Sequence, residues 1–126
     1  MKEQKKKIMI VEDDIFVMDI YITKLSQVGF EVVEASDGAE ALKKLKNDPQ
    51  KPNMILLDIV MPNMDGLTAL KKIRSDESFK DIPIILLSNL SQKEKVDKGF
   101  RLGAQDYLIK SHFTPSEVLE KINKYI

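Results

Sequence analysis

Five side chains, widely spaced along the chain, could together handle a phosphoryl group. Glu12 and Asp13 follow the apolar run IMIV, residues 8–11. Asp58 ends a second such run, NMILLD. Ser88 ends IPIILLS, and Lys110 ends DYLIK. Each polar group comes straight after a stretch that belongs in a core. A carboxylate in that position is costly unless something pairs with it. If Glu12, Asp13 and Asp58 converge, their mutual repulsion raises their pKa values, and a hard divalent cation resolves the conflict. Oxygen ligands without histidine or cysteine favour Mg²⁺ or Mn²⁺ over Zn²⁺. Lys110 adds a second positive charge and Ser88 a hydroxyl donor. Such a site fits the oxygens of a phosphoryl group carried on Asp58, because an aspartate can act as nucleophile and form an acyl phosphate. The metal and the lysine then stabilise the charge on the group in flight.

Convergence depends on the elements that carry these residues. IMIV (8–11), FEVVEA (30–35), NMILLD (53–58), IPIILLS (82–88) and DYLIK (106–110) read as five strands. FEVVEA alternates in part, as an edge strand does. Between them lie helical patterns. Ile15, Met18, Ile22 and Leu25 share one face over residues 14–28, and Gly29 is a natural stop. Asp14 reads as that helix's cap. Asp37 with Glu40 resembles a capping box and opens a helix through about Asn47. Leu67, Leu70 and Ile73 mark a third helix. Ser91 with Glu94 predicts a second capping box, for a helix ending near Gly103. Thr114-Pro115-Ser116-Glu117 supplies a cap, a proline at the first helical position and an acid at the third. The result is a (βα)₅ chain: an α/β, flavodoxin-like three-layer sandwich with a parallel five-stranded sheet in the order 2-1-3-4-5. Sites in such sheets lie beyond the carboxyl ends of the strands, at the winding reversal between the first and third.

The chain has 126 residues, enough for one domain with one sizeable core. It has no cysteine, which excludes disulfides and thiolate chemistry, and its single His112 cannot build a multi-histidine zinc site. His112 reads as a loop residue. Formal net charge is zero, which argues against nucleic acid as this domain's partner. No apolar run is long enough to span a membrane. Residues 1–7, with Lys5–Lys7, read as a basic solvated tail before a domain at 8–126. The compartment expected on this basis is the cytoplasm.

The motifs VEDD, LLDIVMPNMDG, IILLS and YLIK, in this order, resemble the response-regulator receiver domain, the CheY-like phosphoacceptor module of two-component signalling. The intervals from Asp13 to Asp58 to Ser88 to Lys110, of 45, 30 and 22 residues, are similar to the family's. The family is itself a standard example of the 2-1-3-4-5 order, so the two readings are not independent. The resemblance covers residues 8–126. It implies that Asp58 is the phosphoacceptor, that Asp13 and Asp58 bind Mg²⁺ (or Mn²⁺), that Val60 gives its backbone carbonyl, and that Glu12 helps through water. Ser88 matches the switch hydroxyl, Tyr107 the switch aromatic, and Lys110 the lysine that contacts the phosphoryl group. Pro62 and Gly66 shape the loop after the third strand. On phosphorylation Ser88 moves and Tyr107 turns inward to fill the space behind it. The implied donor is a histidine kinase or histidine phosphotransfer protein. With no effector segment in the sequence, the implied output is binding of a protein target. The surface of the fourth helix, fifth strand and fifth helix serves it, with Lys95, Lys98, Tyr107, Ile109 and Lys121 as exposed members. A monomer is expected, with phosphorylation-dependent dimerisation as the alternative.

Two departures from the family pattern carry consequences. Ser111 stands where the family usually has proline, so a trans Lys110–Ser111 bond is expected. Val60 and Leu90, two residues after Asp58 and Ser88, are apolar where relatives often orient the hydrolytic water, so slow autodephosphorylation is expected. Three rivals remain. A Mg²⁺-dependent phosphohydrolase usually wants a carboxylate at position 60, which is Val. A flavin or nucleotide binder wants a phosphate-holding loop where Glu12-Asp13-Asp14 stand. A phosphorylation-independent interaction module needs none of the five side chains. The receiver reading makes the chain a signalling protein that assists its own phosphorylation, and not a metabolic enzyme.

Overall fold

Alternation along the strands decides the layers. In a computed structural model, which describes residues 5–126, the chain runs β1 (Lys7–Val11), α1 (Ile15–Gln27), β2 (Glu31–Ala35), α2 (Gly38–Asn47), β3 (Met54–Leu57), α3 (Gly66–Ser75), β4 (Ile84–Ser88), α4 (Lys93–Arg101), β5 (Asp106–Ile109) and α5 (Pro115–Tyr125). The five strands form one parallel sheet in the order β2-β1-β3-β4-β5, with β2 at an edge. Successive side chains of a strand face opposite ways. Ile8, Ile10, Met54, Leu56, Ile85 and Leu87 therefore pack on one side with Met18, Leu25, Val118 and Ile122 of α1 and α5. Met9, Val11, Ile55, Leu57, Ile84 and Leu86 pack on the other with Ala41, Leu45, Leu70 and Ile73 of α2 and α3. Both faces of the three central strands are covered, which explains their uninterrupted apolar sequences.

The helix starts follow their capping chemistry, with one exception. Asp14 accepts bonds from the Phe16 and Val17 amides. Thr114 and Glu117 form the expected capping box at α5. Asp37 accepts from the Glu40 amide, but the Glu40 carboxylate reaches back to Ser36 and not to Asp37. Those Ser36 bonds, with Lys44, hold Glu40 down at about 2. The box expected at Ser91 and Glu94 is absent: α4 starts after Gln92, which makes no side-chain capping bond. The pattern was present but lies a residue out of register with the helix. On α1 the buried face is Met18, Tyr21 and Leu25; Ile15 is 74% exposed. The helical stripe buries Met18 and Leu25, while its first member is left exposed.

Lys7 corrects the reading of the tail. Lys5 and Lys6 are exposed, and residues 1–4 lie outside the described residues. Lys7, however, begins β1 and is buried. Its ammonium donates to Asp48 at 2.8 Å and to the Gln50 carbonyl at 2.9 Å, and lies 3.5 Å from Glu31. The Asp48 bond raises the Lys7 pKa against the effect of burial, and the same bond lowers that of Asp48. Lys7→Ala is expected to cost about 2 kcal/mol of stability, in line with hydrogen bonds to charged groups. A lysine with a raised folded pKa contributes below its unfolded value and loses that contribution as pH rises through the folded one. An aspartate with a lowered pKa contributes above its unfolded value and loses it as pH falls through the folded one. Urea unfolding at neutral pH should therefore show the full deficit, shrinking towards both extremes. A deficit that does not vary with pH would place the loss in packing instead.

Candidate functional site

The β1–β3 register brings the acidic groups together. Val11 pairs with Leu57, and the Asp58 amide donates to the Val11 carbonyl at 3.0 Å. Glu12 and Asp58 thus leave the carboxyl edges of neighbouring strands side by side. One carboxylate oxygen from each of Glu12, Asp13 and Asp58 lies within 4.8 Å of the other two. Their exposures differ: Glu12 is 5% and Asp58 7% exposed, whereas Asp13 faces solvent. Asp58 Oδ1 accepts the Ile59 amide at 2.7 Å, and Glu12 Oε2 accepts the Asp14 amide at 3.1 Å.

Lys110 spans the remaining oxygens. Its Nζ donates to Asp58 Oδ2 at 3.0 Å and to Glu12 Oε1. Burial pushes the Glu12 carboxyl up, against the opposing bond from Lys110. Burial also works to lower the Lys110 pKa, but Glu12 and Asp58 outweigh it and the net direction is up. Lys110 does not end β5, as its sequence implied; it starts a single 3-10 turn, Lys110–His112. The Lys110–Ser111 bond is trans. Because residue 111 is not proline, its amide is free to donate to Asn89 Oδ1 at 3.1 Å. That bond ties the loop after β5 to the loop after β4 and fixes the start of the turn from which Lys110 projects. His112 is exposed, as expected of a loop residue.

Ser88 ends β4 and is 1% exposed; its Oγ accepts the Leu90 amide at 3.2 Å. Tyr107 is buried, not exposed as the sequence implied, and its hydroxyl donates to the Leu90 carbonyl at 2.5 Å. Burial raises its pKa. The inward position expected only after a switch is therefore already occupied. Lys95 and Lys98 line the groove between α3 and α4; Lys98 is exposed, as expected, and Lys95 is half-buried. Ile109 and Lys121 are half-buried.

The loop from Asp58 to Gly66 is tightly determined. The Gly66 amide donates to the Ile59 carbonyl at 2.8 Å. A Cβ on Gly66 would lie 1.9 Å from the Asp58 carbonyl oxygen, so only glycine lets the start of α3 pass this close. The Met64 amide donates to the Pro62 carbonyl at 2.7 Å, closing a γ-turn around Asn63, whose φ is +66°. Asn63 Nδ2 also donates to Asp37 Oδ2 at 2.8 Å, anchoring the loop to the α2 cap. Sequence reasoning missed this anchor; an asparagine after Pro62 in a turn was the available signal, since asparagine tolerates positive φ. It also missed an apolar patch beside the acidic groups, where Ile15, Phe16 and Ile20 are 74, 81 and 51% exposed.

The fold and site define a doubly wound α/β protein with its acidic groups at the switch point of the sheet. The family described as Response regulator receiver domain matches residues 8–123, and the chain belongs to that family. It is 39% identical over 126 residues to "Probable transcriptional regulator ycf27" of Cyanophora paradoxa, covering 100% of this chain and 50% of that protein. It therefore spans about half the length of the curated relatives it matches. Among solved structures, chemotaxis response regulator CheY4 of Vibrio cholerae is 30% identical with a TM-score of 0.89, over 98% of this chain and 100% of that one. The phosphorylated cyanobacterial phytochrome response regulator RcpA is 30% identical with a TM-score of 0.84, over 96% and 91%.

Proposed function

We propose that Asp58 accepts a phosphoryl group from the phosphohistidine of a histidine kinase or histidine phosphotransfer protein. The observation that carries this reading is the meeting of three carboxylates within 4.8 Å, with Lys110 bonded to two of them. The phosphorylated relative RcpA supports it. An all-oxygen donor set with no nitrogen or sulfur fits Mg²⁺ or Mn²⁺, held by Asp13, Asp58 and the Val60 carbonyl, with Glu12 acting through water. The bound ion supplies charge neutralisation of the transferring phosphoryl oxygens. The Asp58 carboxylate is the nucleophile: its oxygen forms the new bond to phosphorus while the P–N bond of the donor breaks and its electron pair returns to the imidazole. Lys110 moves its ammonium from carboxylate to phosphoryl oxygen. The exposed Ile15, Phe16 and Ile20 patch gives the donor an apolar surface next to the acceptor.

The new group carries about −1.5 to −2 charge near pH 7. Ser88 is placed to respond. Donating to a phosphoryl oxygen pulls Ser88 away from the Leu90 amide, and Leu90 is also held by Tyr107. The loop after β4 is thus the two-state element that a local charge event biases. Among the described residues no helix is long and apolar enough to cross a membrane.

Incubation with acetyl phosphate and Mg²⁺, followed by intact-mass measurement, tests the function. Wild type is expected to gain one phosphoryl group and Asp58→Asn none. Release of many equivalents of phosphate would indicate a hydrolase, and no adduct on wild type a phosphorylation-independent module. Val60, 62% exposed, and the half-buried Leu90 stand two residues after Asp58 and Ser88 and offer an approaching water no polar side chain. Val60→Asn and Leu90→Glu are each expected to speed decay of the adduct in Mg²⁺. Equal or slower decay in both would refute that role.

A further inference from the structure

A groove of about 550 Å³ lies between the loop after β3, α3 and α4. Its apolar lining comes from the buried Ile59, Met61 and Leu67 with Leu102, Val60 and Leu90. Lys71, Lys95 and Lys98 stand around it. Among the described residues none of these three lysines makes an ion pair. The one carboxylate at the rim, Asp65, is engaged in capping α3, where it accepts from the Thr68 amide and hydroxyl. Three free cations around an unfilled apolar lining complement a ligand with acidic and aliphatic groups on one face.

The geometry points to this groove as the docking site for an acidic amphipathic segment of a protein partner, with two aliphatic anchors on the apolar lining and carboxylates facing Lys71, Lys95 and Lys98. No aromatic ring lines it, so it offers no stacking platform for bases. Its concavity accommodates side chains and is ill suited to a flat lipid surface. It is separate from the face of α4, β5 and α5, because Lys95 and Lys98 turn towards α3.

The groove is also wired to the acidic site. Leu90 lines it, and both backbone groups of Leu90 are held by the switch pair: its amide by Ser88 and its carbonyl by Tyr107. A change in Ser88 must move this wall. By linkage, a segment that prefers one position of the wall shifts the equilibrium at Asp58 by the same factor that phosphorylation shifts its own affinity. This second part rests on the phosphoacceptor reading above; the docking itself does not.

Two-dimensional NMR of the full chain titrated with synthetic peptides tests the proposal. The probe is a twelve-residue helix-forming peptide with leucines four apart flanked by glutamates; its control replaces glutamate with lysine. The acidic peptide is expected to give saturable shifts at Ile59, Leu67, Leu90 and Leu102. The Lys71→Glu/Lys98→Glu variant should weaken it by about tenfold or more, as reversed rim charges do. Both positions are exposed, and an otherwise unchanged spectrum verifies the variant's fold. Absence of saturable shifts, equal binding of the lysine peptide, or shifts confined to α1 or α5 would overturn it. So would preferential binding at these lysines of anionic vesicles or of a single-stranded oligonucleotide. Repeating the titration on the acetyl-phosphate-treated chain, with Asp58→Asn as control, separates the parts. Binding that ignores phosphorylation leaves docking intact and removes the coupling, while absence of the adduct counts against the phosphoacceptor reading alone.

Discussion

Lys110→Ala is expected to slow phosphorylation of Asp58 by acetyl phosphate by about a hundredfold or more, the scale seen when one preorganised charge-stabilising donor is removed. The same change is expected to tighten Mg²⁺ binding by about tenfold, because it deletes a unit of like charge a few ångströms from the ion. The opposite signs follow from one geometry. The Lys110 ammonium occupies oxygens of Glu12 and Asp58, two of the carboxylates that would face the metal. It competes with the ion in the resting site and assists it once a phosphoryl group is present. Without metal the variant leaves Glu12 and Asp58 buried with no counter-charge, which is destabilising. Its melting temperature should fall in EDTA and recover in MgCl₂ by more than wild type's, by mass action on the folded state. Unchanged phosphorylation kinetics, or weaker Mg²⁺ binding, would show that the ion pair is only structural.

Gly66→Ala is the second large effect. The added methyl meets the Asp58 carbonyl oxygen at 1.9 Å, the Asp58 carbonyl carbon at 2.8 Å and Ile59 Cα at 2.9 Å. All three are backbone atoms of the segment that aims the acceptor, so no flexible side chain can give way. Either α3 moves outward, breaking the bond from the Gly66 amide to the Ile59 carbonyl, or Asp58 moves. Overpacking of this kind costs about 1–3 kcal/mol. Thermal unfolding should show a clear loss, and residual phosphorylation should be slower at a temperature where the variant is folded. Wild-type melting and kinetics together would mean that the loop relaxes without displacing the acceptor.

The alternation of strands with helices, the edge position of β2 and the β1–β3 neighbourhood were all legible, because period and covered faces leave few topologies. The proximity of Glu12, Asp13 and Asp58 followed from that order, which the topology rules allow and the family resemblance supports. Single-residue contacts across the fold were less accessible. Lys7 looks like the end of a lysine tail until Asp48 and Glu31, far along the chain, are brought beside it. Ile15 has the right spacing for a buried face, but spacing does not say that it is left exposed. Ser91 and Glu94 match a capping pattern that the local backbone does not use. Asn63 and Asp37 meet only because the loop after β3 rests on the start of α2. Tyr107 is buried and bonded to the Leu90 carbonyl, a contact that no periodicity encodes. The serine after Lys110 departs from the family pattern, and its amide supplies a tether to Asn89 that proline could not.

Borohydride reduction of the acetyl-phosphate-treated chain, followed by peptide mass mapping, is the most direct measurement, because it converts an aspartyl phosphate into homoserine at the residue that carried it. Homoserine at position 58, dependent on Mg²⁺ during the phosphorylation step, is the predicted result. Homoserine at position 13 instead, or phosphate recovered only on serine or histidine with Asp58 intact, would contradict the account.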